Sequence, residues 1–230
     1  MANQKSIQSD DVDITNLRAT PEEEDFAHKY TEEGQGKIGG MLLDGYFEAV
    51  KSLVDAANLA DTGEMRAIEI GCGEGFSTQR IGRLLPAHVT LEASEYVAHM
   101  IPRAQANNPG VVITEESAYE LKHADNSFDV VFLLEVLEHL DYPDKALAEI
   151  RRILKPGGYL VLGVPREYLW CFLNLCRLKY VKRLGNTPGH LNHWSSAGIV
   201  RYMKDNFGHI VSVRKPLPWT VVLARKASID

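Results

Sequence analysis

Cysteine is scarce: three occur in 230 residues, and Cys72, Cys171 and Cys176 form neither a CxxC pair nor a set with histidines at zinc spacing. A disulfide framework and a thiolate metal centre are thereby excluded, and free thiols of a reducing compartment are expected. No apolar run approaches the roughly 18 residues that would suggest a membrane span. The N-terminal stretch is polar and lacks the apolar core of a secretory signal, so the expectation is a cytoplasmic protein. Positive charge is not in excess either: 25 Lys and Arg face 31 Asp and Glu, a formal net charge of −6. No global field then draws the chain to nucleic acid, and no nucleic-acid partner is expected. Repeats and low-complexity tracts are missing, which excludes a solenoid. What remains is an ordinary globular composition with 45% hydrophobic residues, enough for one α/β domain with decoration.

Residues 1 to about 33 hold nine carboxylates against three Lys and Arg, and few large apolar groups. The reading is an acidic, mobile arm over 1–40 and a single domain over 41–230. Glycines 34, 36, 39 and 40 are expected to break the chain before a helix over 41–59, whose Leu42, Tyr46, Val50, Leu53 and Val54 share a face. Strand and helix then alternate: strands at 66–70, 88–92, 111–114, 128–134 and 159–164, with helices at 76–85, 95–107 and 143–154 between them. A helix at 196–206 and strands at 209–214 and 219–225 close the chain. Such alternation predicts right-handed crossovers, a parallel sheet and ligands at the carboxyl ends of its strands.

The run Ile68-Glu-Ile-Gly-Cys-Gly-Glu-Gly75 carries the most chemistry. A strand meets glycines at 71, 73 and 75, and a helix starts just beyond with unpaired N–H groups for polar ligand atoms. The dinucleotide fingerprint is G-x-G-x-x-G, whereas here the spacing is G-x-G-x-G and Phe76 stands where the third glycine belongs. Glu92, after the apolar stretch at 88–91, is placed to accept hydrogen bonds from a ribose diol. Glycine-rich turns also arise from packing alone; Glu69 before this one and Glu92 after it favour a nucleotide-type cofactor. A nicotinamide dehydrogenase lacks both its spacing and any obvious hydride-transfer residues.

The block FDVVFLLEVLEHLDYPDKALAEIRRILKPGGYLVLGVP, 128–165, resembles class I S-adenosylmethionine-dependent methyltransferases of the ubiquinone and menaquinone biosynthesis type. With the glycine loop and the terminal strands, the resemblance covers about 41–226. It implies a Rossmann-like, doubly wound, seven-stranded sheet, mostly parallel, with the last strand antiparallel and helices on both faces. It implies S-adenosylmethionine as cofactor and S-adenosylhomocysteine as product. Glu69 would lie beside the methionine amino group, and Gly71, Cys72, Gly73 and Gly75 would line the cofactor backbone contacts. Glu92 would hold both ribose hydroxyls with Ala93 near the adenine, and Leu134 and Glu135 would touch the methionine. One departure is Ser117-Ala118, where relatives usually carry Asp-Ala to read the adenine amino group.

A sulfonium already carries an activated methyl group, so the protein must align the acceptor for in-line displacement and, for a hydroxyl, remove a proton. His139 is the candidate base; alternatively it caps a turn. Glu135, Glu138 and His139, joined by His190 or His193, also resemble the ligand set of small-RNA 2′-O-methyltransferases, although the same string occurs in metal-free relatives. Residues 166–194 read as a lid above the cleft. There Tyr168, Trp170, His190, His193 and Trp194 are substrate candidates, and 166–184 offers weak contact to a membrane surface. The expected function is methyl transfer to a small or lipophilic acceptor, with oxygen ahead of carbon or nitrogen. The rivals are a catalytically silent cofactor-binding regulator of the same fold and metal-assisted methylation of RNA.

Overall fold

The structure is a computed structural model that describes residues 17–19, 32–59 and 63–228. Most of the expected acidic arm lies outside the described residues.

Among the described residues seven strands form one sheet in the order β3-β2-β1-β4-β5-β7-β6. They are β1 Met65–Ile70, β2 Val89–Glu95, β3 Val112–Glu115, β4 Phe128–Leu134, β5 Leu154–Pro165, β6 His209–Arg214 and β7 Trp219–Arg225. The pairs among β1 to β5 are parallel, while β7 runs antiparallel between β5 and β6. The order reverses between β1 and β4, and a crevice opens at such a switch point.

The described residues form six α-helices: α1 Glu32–Ala57, α2 Phe76–Leu84, α3 Ile101–Asn107, α4 Pro143–Ile153, α5 Glu167–Cys176 and α6 Ser196–Asn206. Strand alternation decides which side chain meets which layer. On β4, Val130, Phe132 and Leu134 join the α1 side, and Val131 and Leu133 join the side of α4 and α6. Each such side chain withdrawn from water contributes about 1.5–3 kcal/mol, which is why the buried positions of the central strands are mostly apolar.

Two boundaries differ from expectation in ways that matter. Helix α1 does not begin at Met41: its regular part runs back through Gly39 and Gly40 to a kink at Gly36, where φ is 61°. A glycine costs a helix only about 1 kcal/mol, and the buried stripe of Leu43, Tyr46, Phe47, Val50, Leu53 and Val54 outweighs it. Strand β2 does not end at Glu92 but continues to Glu95, because Ala93 and Ser94 pair with Glu69 and Ile70 on one side and Ile113 and Thr114 on the other. Small residues with modest strand propensity are held there by two neighbouring strands.

Two further shifts are smaller. Strand β5 starts at Leu154, where it pairs with Phe128 before a bulge restores register at Val130 and Tyr159. A 3-10 turn, Ala98–Met100, precedes α3 in place of one long helix from residue 95.

Candidate active site

The carboxyl ends of β1 to β4 converge on one cavity, lined among others by Gly71, Cys72, Gly73, Glu95, Tyr96, Ser117, Ala118, Leu134, Glu135 and His139. Its position follows from the strand order and its shape from the turn after β1. At Gly71 (φ 73°) a Cβ would lie 2.6 Å from Val136 Cγ2, so the β1 and β4 turns approach only because the side chain is absent. At Gly73 (φ 54°) a Cβ would meet nothing within 4 Å; there the conformation alone demands glycine, and space is left open beside the backbone. Gly75 stands behind the cavity, wedged against Ala104 and Asn108 of α3 and the residue after it.

Glu95 closes the second strand. Its Oε2 accepts from the Gly73 amide at 2.6 Å and its Oε1 from the Val97 amide at 2.8 Å. Both oxygens keep a further lone pair for a diol. Glu92, the residue expected in this role, lies three residues back, outside the cavity, where Arg66 grips it at 2.6 and 2.8 Å. Ala93 is likewise buried away from the cavity, against Cys72, Ala104 and Ile113. Sequence reading placed the strand end too early; the continuation Ala-Ser-Glu into Tyr96 was the signal available.

Glu69 is fully buried behind the glycine turn. Thr78 donates to its Oε2 at 2.5 Å, which ties β1 to the first turn of α2. Burial pushes its carboxyl up to about 7, against the hydrogen bonds of Ser77 and Thr78 and with help from the charge of Glu95. Burial also pushes the Cys72 thiol up, with Glu69 and Glu95 adding to the effect, which disfavours the thiolate.

The rim beyond β4 is a strained turn. Glu135 has φ 59°, its amide donating to Gly163 O. Such a conformation is costly in a bulky residue, and here it falls at the edge of the cavity. A 3-10 turn, Leu137–His139, follows and brings His139 to the cavity. The His190 ring stands perpendicular to that of His139 with centroids 4.8 Å apart. Glu138 O accepts from the Leu191 and Asn192 amides, and Asn192 Nδ2 donates to Leu137 O and Leu140 O. These bonds fasten residues 190–192 to the turn. Behind them the Nδ1–H of His190 donates to Glu167 Oε1 at 2.5 Å, while His193 Nδ1 lies 3.5 Å from Glu167 Oε2. Glu167 and Glu138 are both buried.

Glu138, His139 and His190 each turn one ligand atom into a space where all three lie within 4.8 Å of one another. Mixed carboxylate and imidazole donors suit a divalent cation such as magnesium, manganese or zinc. A carboxylate on the remote ring nitrogen, as Glu167 is to His190, is the usual outer support of a metal-ligating histidine. Glu135 is not part of that set.

The remaining lid candidates do not reach the cavity. Tyr168 is 77% exposed. Trp170 donates from Nε1 to Thr187 Oγ1 and packs on Trp219, and Trp194 packs on Tyr202. His193 stays at the Glu167 network. The cavity instead has walls that sequence reading missed: Tyr46 and Phe47 of α1, Met100, and Leu17 and Ala19 of the N-terminal segment. The last two arrive because Asp141 accepts from the amides of Arg18 (3.1 Å) and Ala19 (2.9 Å) and from Arg18 Nε (2.9 Å).

An adenosyl sulfonium fits this arrangement. Glu95 has spare acceptor capacity, the backbone at Gly73 is bare, and the apolar side chains of Val97, Met100, Ala118 and Leu140 line the same cavity.

Residues 68–162 match the methyltransferase domain family. A ubiquinone biosynthesis O-methyltransferase of Parvibaculum lavamentivorans is 30% identical over 111 residues, 48% of this chain and 44% of that protein. A sterol 24-C-methyltransferase of Gibberella zeae is 30% identical over 124 residues, 52% of this chain and 31% of that one. The chain spans about a third to a half of the length of the curated relatives it matches. Among solved structures, an S-adenosylmethionine-dependent methyltransferase of Mesorhizobium loti superposes with TM-score 0.57 at 18% identity, covering 80% of this chain and 100% of that one, a likeness of fold. Residues 68–162 are thus similar to the methyltransferase domain family, and the strand order is the one expected of a class I S-adenosylmethionine-dependent methyltransferase fold.

Proposed function

We propose that this chain moves the methyl group of S-adenosylmethionine to a hydroxyl of a small, lipophilic acceptor, releasing S-adenosylhomocysteine. The observation that carries the reading is the pairing, across one apolar-walled cavity, of Glu95 on the ribose side with His139 on the opposite rim. When bound, the cofactor supplies a methyl group already activated by its sulfonium. The chain's own work is binding, alignment and proton removal. Glu95 holds the ribose, Tyr96, Met100 and Ala118 flank the adenine, and Ser117 accepts from its amino group. Leu134 and Glu135 bear on the methionine end. His139 takes the acceptor hydroxyl proton as the oxygen attacks, and the imidazolium that forms rests beside buried Glu138 and the His190–Glu167 pair. The three cysteines are free, as a reducing, cytoplasmic setting would leave them.

The test is transfer of labelled methyl to a panel of phenolic and enolic acceptors. We expect label on oxygen, and a fall in turnover of about 10²–10⁴-fold in His139→Gln with cofactor affinity kept. Label on carbon or nitrogen, or full turnover in that variant, overturns the assignment; cofactor binding without any acceptor-dependent turnover favours the silent regulator.

A second reading rests on the three converging ligand atoms: Glu138, His139 and His190 would hold a divalent cation, which would supply Lewis-acid help in deprotonating the acceptor hydroxyl. Full activity after exhaustive chelation removes that reading, and loss restored by magnesium, manganese or zinc supports it.

A further inference from the structure

From Tyr168 to Lys204 the sequence holds no carboxylate, although the chain as a whole carries a formal net charge of −6. Within this stretch lie Arg177, Lys179, Lys182 and Arg183, all exposed. Between them stand large apolar side chains turned to solvent: Leu178 is 82% exposed, Leu184 79% and Val181 52%. On the adjoining α5, Tyr168 and Phe172 are also exposed. The acid that opens α5, Glu167, is buried and faces His190, so it does not offset this charge.

The backbone presents these residues outward deliberately. Leu178, Tyr180 and Leu184 all have positive φ (55°, 52° and 52°), a region that bulky residues seldom occupy. The loop is nevertheless pinned at its base. Asn174 is buried, donates to Gly185 O and accepts from the Lys179 amide, and the Gly185 amide donates to Tyr180 O. Gly185 is required there, since a Cβ would lie 2.1 Å from Cys171 O. A loop so fixed, with leucines outside and its polar bonds inside, is shaped for an occupant that is apolar in its interior and anionic at its face.

We infer that the surface from Tyr168 to Leu184 docks onto an anionic phospholipid bilayer. Exposed leucine, valine and aromatic side chains enter the acyl boundary, and the four cations meet headgroup phosphates. A second copy of the chain fits less well, because a two-fold contact would set the same four cations against themselves. The acidic N-terminal sequence matches the charge but has few large apolar groups for Leu178 and Leu184. No helix among the described residues is long and apolar enough to cross a membrane, so the contact is peripheral. The inference stands apart from the methyl-transfer reading; joined to it, it means that the acceptor is taken from the membrane.

The test is co-sedimentation of the intact chain with vesicles of phosphatidylglycerol and phosphatidylcholine, and with phosphatidylcholine alone, at about 0.1 M salt, where surface charges still act over roughly 10 Å. We expect binding to the anionic vesicles only, weakened about tenfold or more both in Leu178→Ser/Leu184→Ser and in Lys182→Glu/Arg183→Glu. Calorimetric S-adenosylmethionine affinity and thermal midpoint should stay unchanged in both, which separates this result from any failure of the active-site reading. Wild-type protein that ignores anionic vesicles overturns the inference, whether the surface is covered by the chain's own acidic segment or not. So does a Leu178-dependent dimer in sedimentation velocity, or vesicle binding undiminished in both variants.

Discussion

The cavity after β1 to β4 and the segment 166–194 beside it are built by opposite means. In the cavity, functional groups are fixed by main chain: Glu95 by the amides of Gly73 and Val97, the turn itself by glycines pressed on Val136 and α3. In the segment, they are fixed by side chains far apart in sequence: Glu167 by His190 and His193, Asn192 by the carbonyls after β4. Main-chain support resists substitution of neighbours and fails when a backbone conformation is forbidden. Side-chain support fails one residue at a time. The cavity is therefore the place where a change that forbids a backbone conformation should do most harm.

Gly71→Val tests that most severely. The new side chain would start 2.6 Å from Val136 Cγ2 on a residue with φ 73°. We expect a loss of about 2–4 kcal/mol in denaturant unfolding and no measurable cofactor binding. A well-folded variant with normal affinity would show that the turn yields, and the contrast between the two regions would collapse. Glu95→Ala should follow, weakening S-adenosylmethionine by about 1–3 kcal/mol in calorimetry through lost charge-assisted hydrogen bonds. Glu92→Ala should change affinity by no more than about 0.5 kcal/mol, as for a residue away from the site, because Arg66 is its partner. Reversed outcomes would return the ribose to Glu92 and move the end of β2.

That pair of glutamates also measures what the sequence discloses. Strand alternation and turn chemistry pointed to the switch-point cleft, Gly71, Gly73 and His139, and the family resemblance to Ser117-Ala118, Leu134 and Glu135, all of which line the cavity. The same reading erred by three residues at β2, because Ala93 and Ser94 owe their extended form to β1 and β3, which no local pattern reports. For the lid, Tyr168, Trp170 and Trp194 read as acceptor contacts because they are aromatic near a cleft; whether an aromatic faces in or out depends on partners such as Thr187, Trp219 and Tyr202. The convergence of Glu138, His139 and His190 was legible as residue types, whereas the support from Glu167 was not. Leu17 and Ala19 reach the cavity through Asp141, a contact across more than 120 residues with no signature in either segment.

Glu69, held behind the glycine turn by the Thr78 hydroxyl, makes the same region sensitive to pH. Its carboxyl, raised by burial from the ordinary carboxylate range to about 7, prefers to be protonated in the folded state. The sign follows: the folded state is favoured fully below the unfolded value, and this advantage is lost as pH rises through about 7. The span corresponds to about 3 kcal/mol, an order-of-magnitude figure. In the ligand-free protein we expect Glu69→Gln, still able to accept from Thr78, to flatten stability between pH 5 and pH 8 in urea titrations and to gain about 1–3 kcal/mol at the alkaline end. An unchanged slope would mean that Glu69 is charged and solvated in the folded chain.

The smallest effect belongs to the strap at Arg18. Arg18 is 73% exposed and Asp141 only 5%, so the two ends of one ion pair differ in worth. Arg18→Ala removes one screened contact and should slow cofactor release by nothing measurable, or speed it by less than about twofold, as surface pairs contribute little. Asp141→Ala removes the acceptor for both strap amides as well and should speed release about three- to tenfold in stopped flow, the range of a net hydrogen bond or two. Burial alone would raise the Asp141 carboxyl, but the amides of Ala19 and Arg18 and the guanidinium hold it below the usual carboxylate range. Its contribution is thus complete above the ordinary carboxylate pKa and disappears as pH falls through the lowered one. Equal release rates in the two variants would assign the strap to charge rather than to its main chain, and would place it with the side-chain-held half of the molecule.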